Sequence, residues 1–447
     1  MLLAIIIYIL ILICVGIYDG FKVKTFEDFA VAGKKQSFIF VFLSLMATMI
    51  GASATIGMTD RVVQIGFPAF WWLGVGMIGL ILQSVLLSEK IRALDANTLP
   101  DVAMKTVGKG GKTLLALIIA VSWVGIIAAQ IVSIAKIMSF VVNGANQKIL
   151  VIVISVIVIL YTFAGGQLSV IKTDAIQSWF IAIGVLATFI YLFVCKGQNN
   201  AEIFSEVQLL NDDFGVMDWI NLFFITGGAY FLGPDIISRN LVSKNGKTAK
   251  KAAFVSGICL LFFSAVITLT GMWVVANVGD IDGQNPLLYS MNHIVPAPIA
   301  VILCIALIST LLSSADTCLI NAASIVEYDL LKRDKVNEIR IIVGILGAAA
   351  LFIALFKSDI IGLLTGAYSI YTPGIVFPLF MAIWFHGKRK VWKPAWYAAV
   401  MIGGGMGILN TYFAVGSEYF PLIGMGISLV FSIVSILPVF EKSEKNS

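Results

Sequence analysis

The chain has 447 residues, of which 59% are hydrophobic and only 12% charged, with a formal net charge of +5. A soluble surface of this size carries about 25% charged residues, a disordered chain is poor in apolar residues, and a nucleic-acid binder presents a solvated basic face, so the composition excludes all three. It points to an all-α polytopic membrane protein in a single membrane domain, with lipid and not nucleic acid around it.

A helix needs about 20 apolar residues to cross a bilayer. Thirteen such stretches are legible in chain order, at 2–18, 37–58, 68–88, 113–141, 149–165, 169–195, 218–238, 252–278, 295–327, 339–356, 360–385, 393–414 and 419–440. The first lacks a basic n-region and a small-x-small cleavage site, so it reads as a retained helix rather than a signal peptide. With the N-terminus outside, the loops that alternate onto the cytoplasmic side hold 25 of the 30 Lys and Arg, including Lys34, Lys90, Lys112, Lys172, Lys250, Arg333, Lys388, Lys442 and Lys445. Only Arg61, Lys148, Lys196 and Lys357 fall outside, and Lys136 lies within a span. The positive-inside rule therefore predicts an external N-terminus and a cytoplasmic C-terminus.

The longest loop, about 196–217, is too short for a folded nucleotidase domain. Thr106-Val107-Gly108-Lys109-Gly110-Gly111-Lys112-Thr113 ends like a phosphate loop, but Thr106 stands where the first Gly belongs and no strand precedes it. Gly74, Gly76 and Gly79 spell GxGxxG inside an apolar span, where close helix packing is the better reading, as it is for Gly403, Gly404, Gly405 and Gly407. Cys14, Cys195, Cys259, Cys304 and Cys318 all lie in apolar runs without CxxC spacing, which supports neither disulfides nor zinc. His293 and His386 read as ordinary boundary residues. With no HExxH, GxSxG or paired His, an enzyme is not expected.

Two stretches have the composition of interrupted helices. The second contains Ser44 through Gly57, rich in small residues, and the seventh contains Thr226-Gly227-Gly228-Ala229-Tyr230 and then Gly233-Pro234. With the N-terminal span set aside these are the first and sixth helices, where an inverted five-plus-five repeat puts its broken helices; small-residue packing is the plainer alternative. In the ninth stretch Thr310, Ser313, Ser314, Thr317, Asn321 and Ser324 recur at spacings of three and four, so they share one helix face, with Asp316 at its edge. Such hydroxyls often bond back to their own helix. A carboxylate beside them in the membrane marks function, and an all-oxygen ligand set suits a hard alkali cation, sodium first. Asp174 and Lys136 are two further ionisable groups inside spans. Lys136 either pairs with a buried Asp or awaits an anionic substrate. Asp235 and Arg239 read as a structural i,i+4 pair at the cytoplasmic end of the seventh span.

Ala32-Gly33-Lys34, the run from Ser44-Leu45-Met46-Ala47 to Ile56-Gly57-Met58, Thr98-Leu99-Pro100-Asp101, Ala164-Gly165-Gly166, Thr173-Asp174-Ala175-Ile176-Gln177, Gly233-Pro234-Asp235 with Arg239, and Ser313-Ser314 ahead of Asp329 occur in this order. Together they resemble the sodium:solute symporter family, which includes sodium/glucose, sodium/proline and sodium/pantothenate transporters. The resemblance implies a leucine-transporter-like core of inverted repeats at 37–195 and 218–386, with an extra helix at 2–18 and two C-terminal helices at 393–440. It also implies a sodium site made of the carbonyls of Ala47, Ile50 and Thr310 and the hydroxyls of Ser313 and Ser314. A second sodium would use Ser313, Asp174, Asp316 and Thr317. Lys136 matches a basic residue of carboxylate-carrying members, whereas Ser53 and Ala54 stand where sugar-gripping polar residues would be, which disfavours a sugar. The solute is then expected against Lys136, Gln130, Ser53, Thr55, Gly227, Gly228 and Tyr230, with Tyr368 and Tyr371 lining or gating its path. The implied protein is a monomeric, multi-pass plasma-membrane symporter that imports a small organic solute, carboxylate or amino-acid-like, with Na+ by alternating access. The alternative is a sodium-independent facilitator or channel.

Overall fold

The computed structural model describes residues 1–142, 144–281 and 283–437, and among them there are helices and no β-strand. The principal helices are α1 (Leu2–Gly20), α2 (Phe38–Met49), α3 (Met58–Ile65), α4 (Trp71–Leu86), α5 (Lys109–Val141), α6 (Gln147–Ala164), α7 (Gln167–Ile190) and α8 (Val216–Leu222). They continue with α9 (Gly228–Leu232), α10 (Pro234–Val242), α11 (Gly246–Val278), α12 (Ala297–Ile325), α13 (Val336–Phe356), α14 (Ile360–Trp384), α15 (Lys393–Phe413) and α16 (Phe420–Val434).

Among the described residues, nine helical segments are long and apolar enough to cross a membrane, and the bent α2–α3 pair makes a tenth. The remaining three apolar stretches of the sequence form α6, α15 and α16. The end of the 419–440 stretch, with Lys442 and Lys445, lies outside the described residues. The outward surface has the composition lipid requires. On α1, Ile5, Tyr8, Leu12 and Gly16 are buried at helical spacing, while Leu3, Ile6, Leu10 and Ile17 face outward and are equally apolar.

Both glycine-rich stretches are broken. Helix α2 stops at Met49, Ile50 leaves helical geometry (φ −88°, ψ 72°), and the chain resumes through a wide π-type turn at Ser53–Gly57 into α3, bent by 57°. In the second, α8 runs through another wide turn at Phe223–Gly227 into α9, which ends at an extended Gly233 (φ −73°, ψ 147°). Pro234 enforces that break. It disfavours helical geometry at the residue before it and suits the first position of the next helix, α10.

Glycines let neighbouring helices approach these breaks. A Cβ on Gly76 would stand 2.9 Å from the Tyr230 ring, and one on Gly79 would stand 3.0 Å from Tyr230 Cβ, so the GxGxxG run is where α4 backs onto α9. Gly403 and Gly407 on α15 likewise lie against the backbone of α14 at Pro373 and Ser369. Helix α12 sits at the centre, packed between α7 and α5, and every residue from Leu303 to Ile325 is buried.

The loops sort into two ends. Lys34 pairs with Asp95 at 2.7 Å, Arg92 Nε donates to Ser243 O, and Lys112 pairs with Asp329 at 3.0 Å, joining loops that the charge pattern assigns to one side. At the opposite end Asn211 donates to Ile65 O, Trp71 to Leu209 O and Tyr419 to Asp218. That second end carries an open vestibule of about 510 Å³, lined by Arg61, Trp72, Asp218, Ser369 and Asn410 among others.

Candidate functional site

Where α2 unwinds, the carbonyls of its last turn lose the amides that a continuing helix would supply. Helix α12 brings hydroxyls to this point. Ser314 Oγ lies 2.9 Å from both Thr48 O on α2 and Thr310 O on its own helix. Gly51 is what permits the approach, because a Cβ there would stand 2.7 Å from Ser314 Oγ. Ser313 donates its proton to Asp174 Oδ1 at 2.5 Å, which leaves its oxygen lone pairs directed elsewhere. Ala47, Ile50, Thr310, Ser313 and Ser314 are all buried. Of the residues expected to ligate sodium, Ser314 reaches the α2 break and also touches Thr310 O, and uncharged oxygens of this kind fit a hard monovalent cation.

Beside them lies a fully buried ion pair. Asp174 on α7 accepts from Ser44 on α2 and Ser313 on α12, and it pairs with Arg239 on α10 at 2.9 Å. The same Nη2 lies 2.8 Å from Thr48 Oγ1 and 2.7 Å from Thr317 Oγ1, while Nε donates to Ser44 Oγ at 3.0 Å. One guanidinium thus ties together both broken helices, α7 and α12. The expected i,i+4 pair of Asp235 with Arg239 is corrected here. Asp235 instead accepts from Trp123 Nε1 at 3.0 Å and from Asn321 Nδ2 at 2.8 Å, and it meets the Cys318 thiol. Asp316 is fully buried, and neither carboxylate oxygen has a hydrogen-bond partner; the same holds for both amide atoms of Gln177.

A small cavity of about 50 Å³ opens between the two breaks. Of the expected solute residues, Ser53, Gln130 and Tyr230 line it, together with Tyr368, Trp123 and Asp235. Gln130 Oε1 accepts from Ala52 N at 3.1 Å, and Tyr230 OH donates to Met49 O at 3.3 Å, so two of these side chains also brace the unwound segment. The other expected solute residues lie elsewhere. Thr55 donates back to Gly51 O at 3.0 Å, Gly227 packs on Val75 of α4, and Gly228 lies against Thr372 of α14. Tyr371 is committed to Leu232 O at 2.5 Å. Lys136 faces the opposite end from Arg239, paired with Asp60 at 3.2 Å, and Asp60 in turn accepts from Asn285 at 2.7 Å.

The family profile of the "Sodium:solute symporter family" matches residues 29–390. The chain belongs to this family. Sodium is accordingly its coupling ion, and it is a multi-pass transporter of the plasma membrane. It is 24% identical over 465 residues to a sodium/glucose cotransporter of Vibrio parahaemolyticus, covering 93% of this chain and 84% of that one. It is 25% identical over 344 residues to the osmoregulated proline transporter OpuE of Bacillus subtilis (strain 168), covering 72% and 69%. Among solved structures, a Na+-coupled sialic acid symporter in a substrate-bound outward-open state superposes with a TM-score of 0.77 at 15% identity, covering 96% of each chain. MhsT in complex with L-phenylalanine gives 0.64 at 13% identity, covering 90% of this chain and 98% of that one. A nucleobase-cation-symport-1 family transporter in a closed conformation gives 0.63 at 14%, covering 91% and 93%. The fold is the one these transporters share.

Sequence reasoning gave Arg239 the wrong partner and assigned no role of their own to Asp60 and Gly51. For Arg239 a signal was available, since a helix restarted by Gly233-Pro234 extends the seventh span to Val216–Val242 and carries Arg239 within it, where an unpaired cation is costly. Gly51 carries no such mark, because only the distance to Ser314 makes its missing side chain matter.

Proposed function

We propose that this symporter imports a small organic solute, carboxylate or amino-acid-like, by alternating access, binding sodium at Ala47 O, Ile50 O, Thr310 O, Ser313 Oγ and Ser314 Oγ. The observation that carries this reading is the meeting of an α2 carbonyl, Thr48 O, with the Ser314 hydroxyl across the gap Gly51 leaves open. A cation there binds α12 to the unwound segment, and the same segment borders the cavity. Ion and solute therefore each favour the other's bound state, a coupling typically worth 1–3 kcal/mol. An amino-acid-like solute is supported by the cavity's lining, which offers the Asp235 carboxylate to an ammonium and unwound backbone to a carboxylate.

A second sodium at Asp174, Asp316 and Thr317 is supported by the buried Asp316 carboxyl, whose two oxygens make no hydrogen bond and are open to a ligand. Arg239 holds Asp174 and Thr317 in the present arrangement, so this ion requires the guanidinium to withdraw. The reading extends to thirteen spans, with 2–18 before two inverted repeats at 37–195 and 218–386, two helices at 393–440, an external N-terminus, a cytoplasmic C-terminus and a monomer as the working unit. It assigns no chemical conversion to the chain.

The test is uptake into vesicles with and without a sodium gradient, using candidate solutes first ranked by sodium-dependent thermal stabilisation of the purified protein. Carboxylate or amino-acid uptake that requires sodium is expected. Equal flux without sodium would instead favour a facilitator.

A further inference from the structure

The cavity between the two breaks is lined by one carboxylate, Asp235, and by three aromatic side chains, Trp123, Tyr230 and Tyr368. Among the described residues that line it there is no Lys, Arg or His. The basic side chains inside the spans are engaged elsewhere. Arg239, one turn along the helix from Asp235, pairs with Asp174, and Lys136 pairs with Asp60 at the opposite end. Asp235 accepts from Trp123 Nε1 at 3.0 Å, from Asn321 Nδ2 at 2.8 Å and from the Cys318 thiol, which is the acceptor-only role of an ionised carboxylate. All three donors are neutral. The lining therefore carries a negative charge that no other residue of the lining balances, and a cationic group on the solute would balance it.

The kind of cation follows from what the acceptors already do. Asp235 receives three donors, Met49 O receives the Tyr230 hydroxyl, Thr48 O receives Ser314, and Gln130 Oε1 receives Ala52 N. A primary ammonium brings three N–H donors, and each one buried without an acceptor is costly. A nitrogen whose hydrogens are replaced by methyl groups brings the same charge without that demand, and an aromatic face within about 6 Å attracts it. The rings are held in place for this. Tyr230 is buried, and Trp123 is fixed by its bond to Asp235 and by edge-on packing against Tyr371, with ring centroids 4.8 Å apart. Leu364 and Tyr368 of α14 line the cavity while Thr365 and Ser369 of the same helix line the vestibule, so Tyr368 stands between the two. A volume of about 50 Å³ admits about four water-sized groups, the scale of a methylated ammonium head.

We propose that the transported solute carries an N-methylated ammonium, seated against Asp235 and the rings of Trp123, Tyr230 and Tyr368, with each methyl group on the nitrogen adding affinity up to the quaternary form. The assignment rests on this cavity being the solute's site, and it narrows the amino-acid-like class to members whose nitrogen has lost its N–H groups. Asp235 then supplies charge without hydrogen bonds, and the three rings select for methyl groups over hydrogens.

The experiment follows thermal unfolding of the purified full chain in sodium while it is titrated with glycine and its N-methyl, N,N-dimethyl and N,N,N-trimethyl derivatives. Apparent affinity is expected to rise along the series, with the trimethyl compound roughly tenfold tighter than glycine. Tyr368→Leu should weaken the trimethyl compound roughly tenfold and flatten the series, whereas Tyr368→Phe keeps the ring and should keep the order. Asp235→Asn should abolish binding of every member. Stabilisation by sodium without solute shows that each variant is folded. The proposal is overturned if glycine binds as tightly as the trimethyl compound, if no member binds, or if Tyr368→Leu and Asp235→Asn leave the series unchanged. Sodium-driven vesicle uptake of the same compounds separates this failure from that of the underlying reading. Uptake that prefers glycine and is lost in Asp235→Asn keeps the cavity as the solute site and removes only the methylated class. Uptake that both variants leave intact removes the cavity as the solute site as well.

Discussion

Two ion pairs, Arg239–Asp174 and Lys136–Asp60, lie at opposite ends of the first broken helix, and they differ in their surroundings. In the first pair both side chains are fully buried and their other hydrogen-bond partners are Ser and Thr hydroxyls. In the second each side chain is 34% exposed. Charges removed from water demand a complete set of partners, whereas half-solvated charges are screened and hold little. The buried pair is therefore a fixed joint between both broken helices, α7 and α12. The exposed pair is a latch that opens at little cost.

The largest effect should come from breaking the buried joint. Arg239→Met leaves Asp174 buried without its cation and is expected to cost about 3–5 kcal/mol in unfolding free energy, while adding Asp174→Asn recovers part of the loss. Additive losses in that cycle would show that the two residues do not act as a pair. Next is Gly51→Ala. Its methyl would stand 2.7 Å from Ser314 Oγ, and pushing the hydroxyl away should weaken sodium binding roughly tenfold, or about 1.4 kcal/mol. Wild-type affinity in that variant would show that the close approach is irrelevant to the ion. Lys136→Ala should change stability by less than about 1 kcal/mol and leave sodium binding intact. A loss as large as that of Arg239→Met would erase the contrast between joint and latch. Smallest is the surface pair at Asp95, whose carboxyl is held below its usual range by the hydrogen bond from Lys34. Its contribution is present at neutral pH and is lost as pH falls through the carboxylate range. Asp95→Asn should remove that acid-side loss, worth a few tenths of a kcal/mol, from the unfolding profile.

Much of the scaffold is readable from residue order. Apolar length marks where helices lie, and Gly-Pro at 233–234 and the small residues around Gly51 mark where two of them break, because these are local properties of the chain. The hydroxyl face of α12 is equally local, since spacing alone puts Ser313 and Ser314 on one side. Partnerships are not local. Asp235 and Arg239 are a natural pair on one helix, yet the fold gives Asp235 to Trp123 and Asn321 and gives Arg239 to Asp174, 65 residues away. Lys136 similarly found Asp60, 76 residues earlier, and not a buried carboxylate deep in the bundle. Which charge meets which is decided by helix packing, and the chain's order does not encode that packing in any short window.

The central claim is that sodium sits where the α2 break meets α12. Sodium titration of thermal stability in purified wild type, Ser313→Ala and Ser314→Ala, with potassium holding ionic strength constant, tests it most directly. A right-shifted sodium dependence in both variants, with stability in potassium little changed, is predicted. Sodium curves that superimpose on that of the wild type would contradict it.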